Sequence, residues 1–186
     1  MINVIDLPIK DAKLIALKRN TDHRGWFTET FRDSWLSDLG IKDQFILEFW
    51  SFSKECSTIR GLHAQTKKAA QSKLIQVLNG SIQDVLVDAR LDSPTFGKHC
   101  DVILTSSDPC LIYVPEGCYH GFVTLEDNTY VGYKVNRYHD ASAECGVMFD
   151  SPELNINWKI KKTPTISQRD QGHPSWSKAY KFEGLI

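Results

Sequence analysis

Ser72-Lys73-Leu74-Ile75-Gln76-Val77-Leu78-Asn79-Gly80-Ser81-Ile82-Gln83-Asp84-Val85-Leu86-Val87 is the stretch on which the fold turns. Two runs rich in β-branched and apolar residues flank Asn79-Gly80, a dipeptide that accepts the positive φ of a tight turn. The stretch therefore predicts two strands, Ser72 to Val77 and Ser81 to Val87, joined as a hairpin.

Outward from that pair the pattern repeats. Further strands are expected at Cys100 to Leu104, Cys110 to Val114, Gly121 to Leu125 and Thr129 to Tyr138. Pro94, Pro109, Pro115-Glu116-Gly117 and Asp127-Asn128 supply the breaks between them. Helical pattern is confined to Arg32 to Leu39, ended by Gly40, and a turn near the C-terminus. Strand follows strand without the helices of a βαβ pattern, so the expected architecture is all-β, a sandwich or closed barrel of jelly-roll type with short peripheral helices. There is no internal repeat or long linker. The 186 residues are expected to form a single domain over 1–186, with a barrel core at about 45–145 and the segment 150–186, richer in Pro, Lys and Trp, wrapping it.

A net charge of −1 and a pI near 6.6 imply no general attraction to nucleic acid or an anionic membrane. No apolar run approaches the ~18 residues of a membrane-spanning helix, and the first residues lack a secretory pattern, so a cytoplasmic location is expected. The five cysteines, Cys56, Cys100, Cys110, Cys118 and Cys145, are odd in number and never in C-x-x-C spacing, which disfavours a disulfide framework or a zinc site.

Arg60-Gly61-Leu62-His63 sets a cation, a glycine and an imidazole within four residues. In a regular strand, residues three apart face opposite ways, so Arg60 and His63 share a face only if Gly61 permits a kink or bulge. Read locally, His63 is either a structural histidine or a base, and the structural reading is the commoner. Lys73 opens an apolar strand and is a surface lysine or a cation at a barrel mouth. His120 follows a proline-glycine turn. Asp84 and Asp88 are carboxylates in an apolar strand, and Asp88 with Arg90 is expected to be a structural ion pair. Tyr133 and Tyr138 read as packing residues. The H-x-H that opens many metal-binding barrels is absent, because Gln65 stands where the second histidine would be, so no catalytic metal is expected.

Taken together and in order, the motifs resemble the dTDP-4-dehydrorhamnose 3,5-epimerase family of cupin-fold enzymes. The match runs from Asp22-His23-Arg24-Gly25 with Phe27 and Glu29, through Arg60-Gly61-Leu62-His63 with Gln65, Gln71 with Lys73, and Gly80 with Asp84 and Asp88. It continues through Ser93-Pro94-Thr95-Phe96-Gly97, Pro115-Glu116-Gly117, His120-Gly121-Phe122, Tyr133-Lys134, Tyr138, Asp150 with Trp158, and Ser167-Gln168-Arg169-Asp170. The resemblance implies a cupin-type jelly-roll β-barrel that epimerises C3 and/or C5 of a nucleoside-diphosphate 4-keto-6-deoxy sugar, without a cofactor, as a homodimer. It implies His63 as the base, Asp170 as the carboxylate that orients it, Lys73 as the cation at the keto oxygen and Tyr133 as the acid on the opposite face. Arg60 and His120 match positions at the sugar and diphosphate. Arg24, Phe27, Glu29 and Tyr138 match others along the nucleotide sugar, some of them reaching in from the second subunit.

The residue types suit the chemistry. A 4-keto group acidifies the neighbouring C–H bonds, an imidazole accepts a proton near neutral pH, and an ammonium stabilises the resulting enolate oxygen. The chain departs from the family where a Gln-x-Asn-x-Ser stretch usually precedes the Arg60 motif. Counting back places Glu48, Trp50 and Phe52 there. A carboxylate accepts hydrogen bonds only, so Glu48 at the base would favour the amines of cytosine or guanine over thymine. The alternatives are therefore a single-site C3 or C5 epimerase on a CDP- or GDP-linked 4-keto sugar, a sugar-nucleotide ketoisomerase, and a non-catalytic cupin that binds a sugar nucleotide.

Overall fold

The chain does turn at Asn79-Gly80, with Gly80 at φ +82°, but the two strands it joins do not pair. In the computed structural model, which describes residues 3–185 and so leaves Met1, Ile2 and Ile186 of the expected domain outside the described residues, β7 (Lys73–Asn79) and β8 (Ser81–Asp88) lie in different sheets. The predicted hairpin is instead a corner. The Gly80 carbonyl accepts from the Ser106 N–H and the Ser81 carbonyl from the Leu125 N–H, so neighbouring strands take up the groups that a hairpin would have paired. A Cβ on Gly80 would collide with the side chain of Thr129, which fixes glycine at that corner.

Eight strands carry the barrel: β5 (Leu47–Ser53), β6 (Thr58–Gln65), β7, β8, β9 (His99–Thr105), β10 (Cys110–Val114), β11 (Cys118–Thr124) and β12 (Thr129–Val135). Their order is β5-β12-β7-β10 in one sheet and β6-β11-β8-β9 in the other, all antiparallel. Every connection except β8 to β9 crosses between sheets, which is the jelly-roll topology of a cupin-type barrel. The predicted strands at 100–104, 110–114 and 129–138 correspond to β9, β10 and β12, and β11 begins three residues before the predicted Gly121.

The N-terminal strands, unforeseen in the sequence, extend the first sheet: β1 (Asn3–Asp6) pairs β2 (Lys13–Ala16), which pairs β10. A separate ribbon, β3 (Asn20–Asp22) with β4 (Gly25–Phe27), pairs with neither sheet. The expected short helix is α1 (Asp33–Asp38), followed by Gly40 at φ +73°. It covers the outer face of the first sheet, where Leu36 packs with Ile15, Leu74 and Leu111.

Between the sheets lie Ile75, Val77, Ile82, Leu86, Ile112, Phe122 and Val131. The second sheet is also covered on its outer face. Val85, Val87 and Tyr119 pack there against Leu154, Trp158, Ala179 and Phe182 from the last part of the chain. That double covering explains why every residue of β8 is buried. Two short elements tie this last part to the barrel: β14 (Thr165–Ile166), parallel to β6, and α2 (Gln168–Gln171). β13 (Glu144–Gly146) lies on the same flank of β6 as β14, opposite β11.

Asp88 and Arg90 form the expected ion pair, with Nε and Nη2 of the guanidinium 2.9 and 2.8 Å from the two carboxylate oxygens. Both residues are buried, and Ser93 and Thr95 each donate a hydroxyl hydrogen bond of 2.6 Å to the same carboxylate. Burial would raise the Asp88 pKa, but the Arg90, Ser93 and Thr95 hydrogen bonds outweigh it and hold the carboxyl below its ordinary range. Removing one partner strands the other without its counter-charge. Arg90→Met is expected to destabilise the fold by about 3–5 kcal/mol, read as a lower urea midpoint at unchanged slope.

Candidate active site

A cavity of about 530 Å³ opens between the sheets. Six of the residues singled out in the sequence line it: Arg60 and His63 from β6, Lys73 from β7, His120 from β11, Tyr133 from β12 and Asp170 from α2. His63 and Tyr133 therefore stand on opposite walls, one on each sheet.

The backbone of β6 makes this convergence possible. Gly61 takes φ +111°, and the β6–β11 register shifts between His120 and Phe122. That irregularity lets Arg60 and His63, three apart, both face the cavity. The strands approach closely here: a Cβ on Gly61 would lie 2.7 Å from the Gly121 Cα and the His120 carbonyl, and one on Gly121 would lie 2.7 Å from the Arg60 carbonyl. Arg60 is held by hydrogen bonds from Nε to the Ser53 hydroxyl, 3.1 Å, and from Nη2 to the Phe52 carbonyl, 2.8 Å.

His63 Nε2 lies 2.8 Å from Asp170 Oδ1. The other carboxylate oxygen accepts from the Gly61 N–H at 3.1 Å. With Asp170 ionised, Nε2 carries the ring proton and Nδ1 keeps its lone pair. Burial alone would raise the Asp170 pKa, but the His63 hydrogen bond and charge, with the Gly61 N–H and the Ser167 hydroxyl, hold it well below the carboxylate range. Ser167 caps α2 by accepting from the Asp170 N–H, 3.1 Å, so the short helix presents its carboxylate at a fixed point.

A second imidazole–carboxylate pair sits beside the first. His120 Nε2 is 2.8 Å from Asp84 Oδ2, and both residues are buried. Burial lowers the His120 pKa, with Asp84 opposing. Lys73 is also enclosed: desolvation, only partly offset by Asp84, lowers its pKa to about 8. Its Nζ reaches the His63 carbonyl at 3.4 Å. Burial raises the Tyr133 pKa, so its phenol stays protonated at neutral pH. Its hydroxyl is 3.3 Å from Ser51 Oγ, and its ring stacks on Phe49, centroids 4.8 Å apart and 12° between planes. A fixed proton acceptor, a fixed proton donor and a buried ammonium around one cavity suit removal and return of a carbon-bound proton.

The other five predicted residues do not line this cavity. Phe27 and Tyr138 are exposed, Arg24 pairs with Asp22 at 2.7 Å on the β3–β4 ribbon, and Glu29 pairs with Arg32. Glu48 likewise stands outside its own chain's cavity. Strand alternation turns Phe49 and Ser51 toward the cavity and puts Glu48, Trp50 and Phe52 on the other face of β5. There Glu48 pairs with Lys134, its cross-strand neighbour, which holds its carboxyl below the ordinary range.

Sequence reasoning missed Asp84 as a site residue, and also Phe49, Ser51, Glu144, Arg169 and His173. Glu144 accepts from Arg169 at 2.8 Å at the cavity edge. Asp84 carried a signal, as a carboxylate in a strand buried on both faces, but only the register of β8 against β11 pairs it with His120. Among the described residues, His63, Asp170 and His173 offer three potential metal-ligand atoms within 4.8 Å of one another. Asp170 and His173 are three residues apart, but His63 is more than a hundred positions away, so sequence spacing could not reveal the set.

The family model described as dTDP-4-dehydrorhamnose 3,5-epimerase matches residues 6–178. A dTDP-4-dehydrorhamnose 3,5-epimerase of Sinorhizobium fredii is 36% identical over 173 residues, covering 91% of this chain and 87% of the relative. The crystal structure of the Bacillus anthracis dTDP-4-dehydrorhamnose 3,5-epimerase with TDP and PPi bound is 41% identical, with a TM-score of 0.91, covering 94% of this chain and 99% of that one. A dTDP-6-deoxy-D-glucose-3,5-epimerase of Legionella pneumophila in complex with dTDP-4-keto-L-rhamnose is 34% identical, with a TM-score of 0.90, covering 94% of this chain and 93% of that one.

The depressed Asp170 pKa makes stability depend on pH. The carboxylate favours the folded state above the ordinary pKa of about 4, and that contribution is lost as the pH falls from there toward the folded-state value. Asp170→Asn is expected to flatten the decline of the urea midpoint between neutral and acid pH. A decline as steep as in the wild type would show that Asp170 does not carry it.

Proposed function

This chain belongs to the dTDP-4-dehydrorhamnose 3,5-epimerase family of carbohydrate isomerases, and we propose that it inverts C3 and C5 of a dTDP-linked 4-keto-6-deoxy sugar by a His63–Tyr133 proton exchange. The observation that carries the reading is the placement of His63, already bonded to Asp170, and protonated Tyr133 on opposite walls of one cavity.

His63 Nδ1 removes the proton from the carbon beside the ketone, and Asp170 stabilises the imidazolium that forms. The electron pair moves onto the carbonyl oxygen, where the Lys73 ammonium stabilises the enolate. Tyr133 then returns a proton from the opposite face, which inverts the centre. A ketoisomerase needs no donor on that second face, and a binding module needs neither group, so the opposed pair favours the epimerase. All steps are proton transfers on a substrate that supplies its own electron sink, so the reading calls for no cofactor.

The dTDP form follows from the family and from Glu48, which faces away from its own chain's cavity and is matched by Lys134. A homodimer fits the exposed residues that have no place in the cavity. Arg24, Phe27, Glu29 and Tyr138 would complete the nucleotide site of a second copy, and Trp50, Phe52 and Tyr130 form an exposed aromatic strip on the outer face of β5 and β12. A sugar nucleotide as substrate places the enzyme in the cytoplasm; among the described residues no helix is long and apolar enough to cross a membrane.

Incubation with dTDP-4-keto-6-deoxyglucose in deuterated water is expected to place deuterium at C3 and C5 with inversion, read by NMR. His63→Ala should abolish exchange, while Tyr133→Phe should suppress inversion more than exchange. Wild-type exchange in His63→Ala would refute the mechanism, label at one carbon would limit it to a single centre, and a migrated ketone would make it a ketoisomerase. Only the protonated form of Lys73 stabilises the enolate, so kcat/KM is expected to fall as pH rises through about 8; a flat profile to pH 10 would remove Lys73 from that role. Sedimentation equilibrium should return twice the chain mass.

A further inference from the structure

His173 is a polar side chain that the proposed reaction does not use. It follows α2, and its ring stands edge-on to His63, with centroids 5.4 Å apart and planes at 81°. Its Nε2 lies 3.6 Å from Asp170 Oδ1, the oxygen that meets His63 Nε2 at 2.8 Å. That nitrogen is buried and, among the described residues, has no hydrogen-bond partner. The ring fits its niche because residue 146, paired with His63 across β13 and β6, is glycine; a Cβ there would overlap the imidazole. The next residue is also anchored, since the Met148 N–H donates to the Pro174 carbonyl at 2.9 Å. A buried nitrogen without a partner, held against a carboxylate and a second imidazole, is an arrangement that a ligand would complete.

We propose that His63, Asp170 and His173 form a binding site for a divalent transition-metal ion, and that its occupancy switches catalysis off. The three donor atoms lie within 4.8 Å of one another. A tetrahedral zinc ion with bonds of about 2.0–2.1 Å separates its ligand atoms by roughly 3.3 Å. The 2.8 and 3.6 Å spacings to Asp170 bracket that value and the imidazole–imidazole spacing is at most 4.8 Å, so rotation of the two histidine side chains brings the ligands to bonding distance. Two imidazoles and one carboxylate suit zinc, cobalt or nickel rather than magnesium or calcium, which prefer all-oxygen shells. Neutral imidazole is the ligating form of both histidines.

The effect on catalysis rests on the reading of His63 as the base. Metal binding at Nε2 uses that nitrogen's lone pair and takes the carboxylate as a ligand, so the neutral ring carries its hydrogen on Nδ1. Nδ1 then has no lone pair with which to take the substrate's proton. The ion would therefore be an inhibitor at the catalytic dyad rather than a cofactor.

The test uses untagged, chelator-treated protein titrated with cobalt(II), and in parallel with zinc(II). One equivalent of cobalt is expected to give visible ligand-field bands, and either ion should stop solvent exchange of the substrate until EDTA is added. His173→Phe fills the same niche without a ligand nitrogen and is expected to weaken metal affinity about tenfold or more; His173→Gln gives a second variant should the first fold poorly. No cobalt spectrum, equal affinity in both His173 variants, or full exchange by the loaded protein would each overturn the proposal. Absence of exchange in the metal-free wild type would instead refute the epimerase reading, and the cobalt spectrum would still decide the metal site.

Discussion

The Asp170 carboxylate is the fastening on which the site depends. One oxygen accepts from the Gly61 N–H and the other meets His63 Nε2, so a single side chain binds both the backbone and the catalytic candidate of β6. A charged acceptor with two donors in a buried setting is stronger and more directional than a neutral hydrogen bond. It also joins residues more than a hundred positions apart, making the geometry of a central strand contingent on the docking of a short C-terminal helix. The Ser167 cap, the parallel pairing of β14 with β6 and the apolar cover of Leu154, Trp158 and Phe182 all hold that helix in place.

The same economy governs the polar interior. Asp84, Asp88, His120 and Arg90 are buried in or beside the two central strands β8 and β11. Asp88 with Arg90 lies at one end of β8, where Ser93 and Thr95 complete its hydrogen bonds, and its part is structural. Asp84 with His120 faces Lys73, and one Asp84 oxygen has no partner among the described residues. A satisfied ion pair and a partly open carboxylate–imidazole pair therefore draw on carboxylates four residues apart in the same strand, and the open one is beside the cavity. Incomplete satisfaction is what a site that must receive a polar ligand requires.

Much of this was legible in the sequence. Strands β7 to β12, the glycine turn after β7, the short helix and the Asp88–Arg90 pair follow from local chemistry, and the need for a kink at Gly61 follows from the spacing of Arg60 and His63. The partner of β7 was misread because Asn79-Gly80 encodes a sharp turn but not which sheet receives the chain after it; that is settled by the cover on both faces of β8. The face that Glu48 presents was unreadable for a related reason. Counting along the chain gives a position, whereas only the pairing of β5 with β12 fixes which face the position presents. His173 and Asp84 lay beyond local reading because each acquires its meaning from a residue far away in sequence.

The placement of His63 and Tyr133 on separate sheets has a consequence for selectivity. In the proposed mechanism the spacing of the two groups follows the separation of the sheets, which Phe122, Val131 and their neighbours in the shared core fill. Stereochemical fidelity then becomes a property of core packing. A swelling of the barrel would leave each group intact yet let a planar enolate recapture its proton on the face it came from, so turnover would continue while configuration was retained.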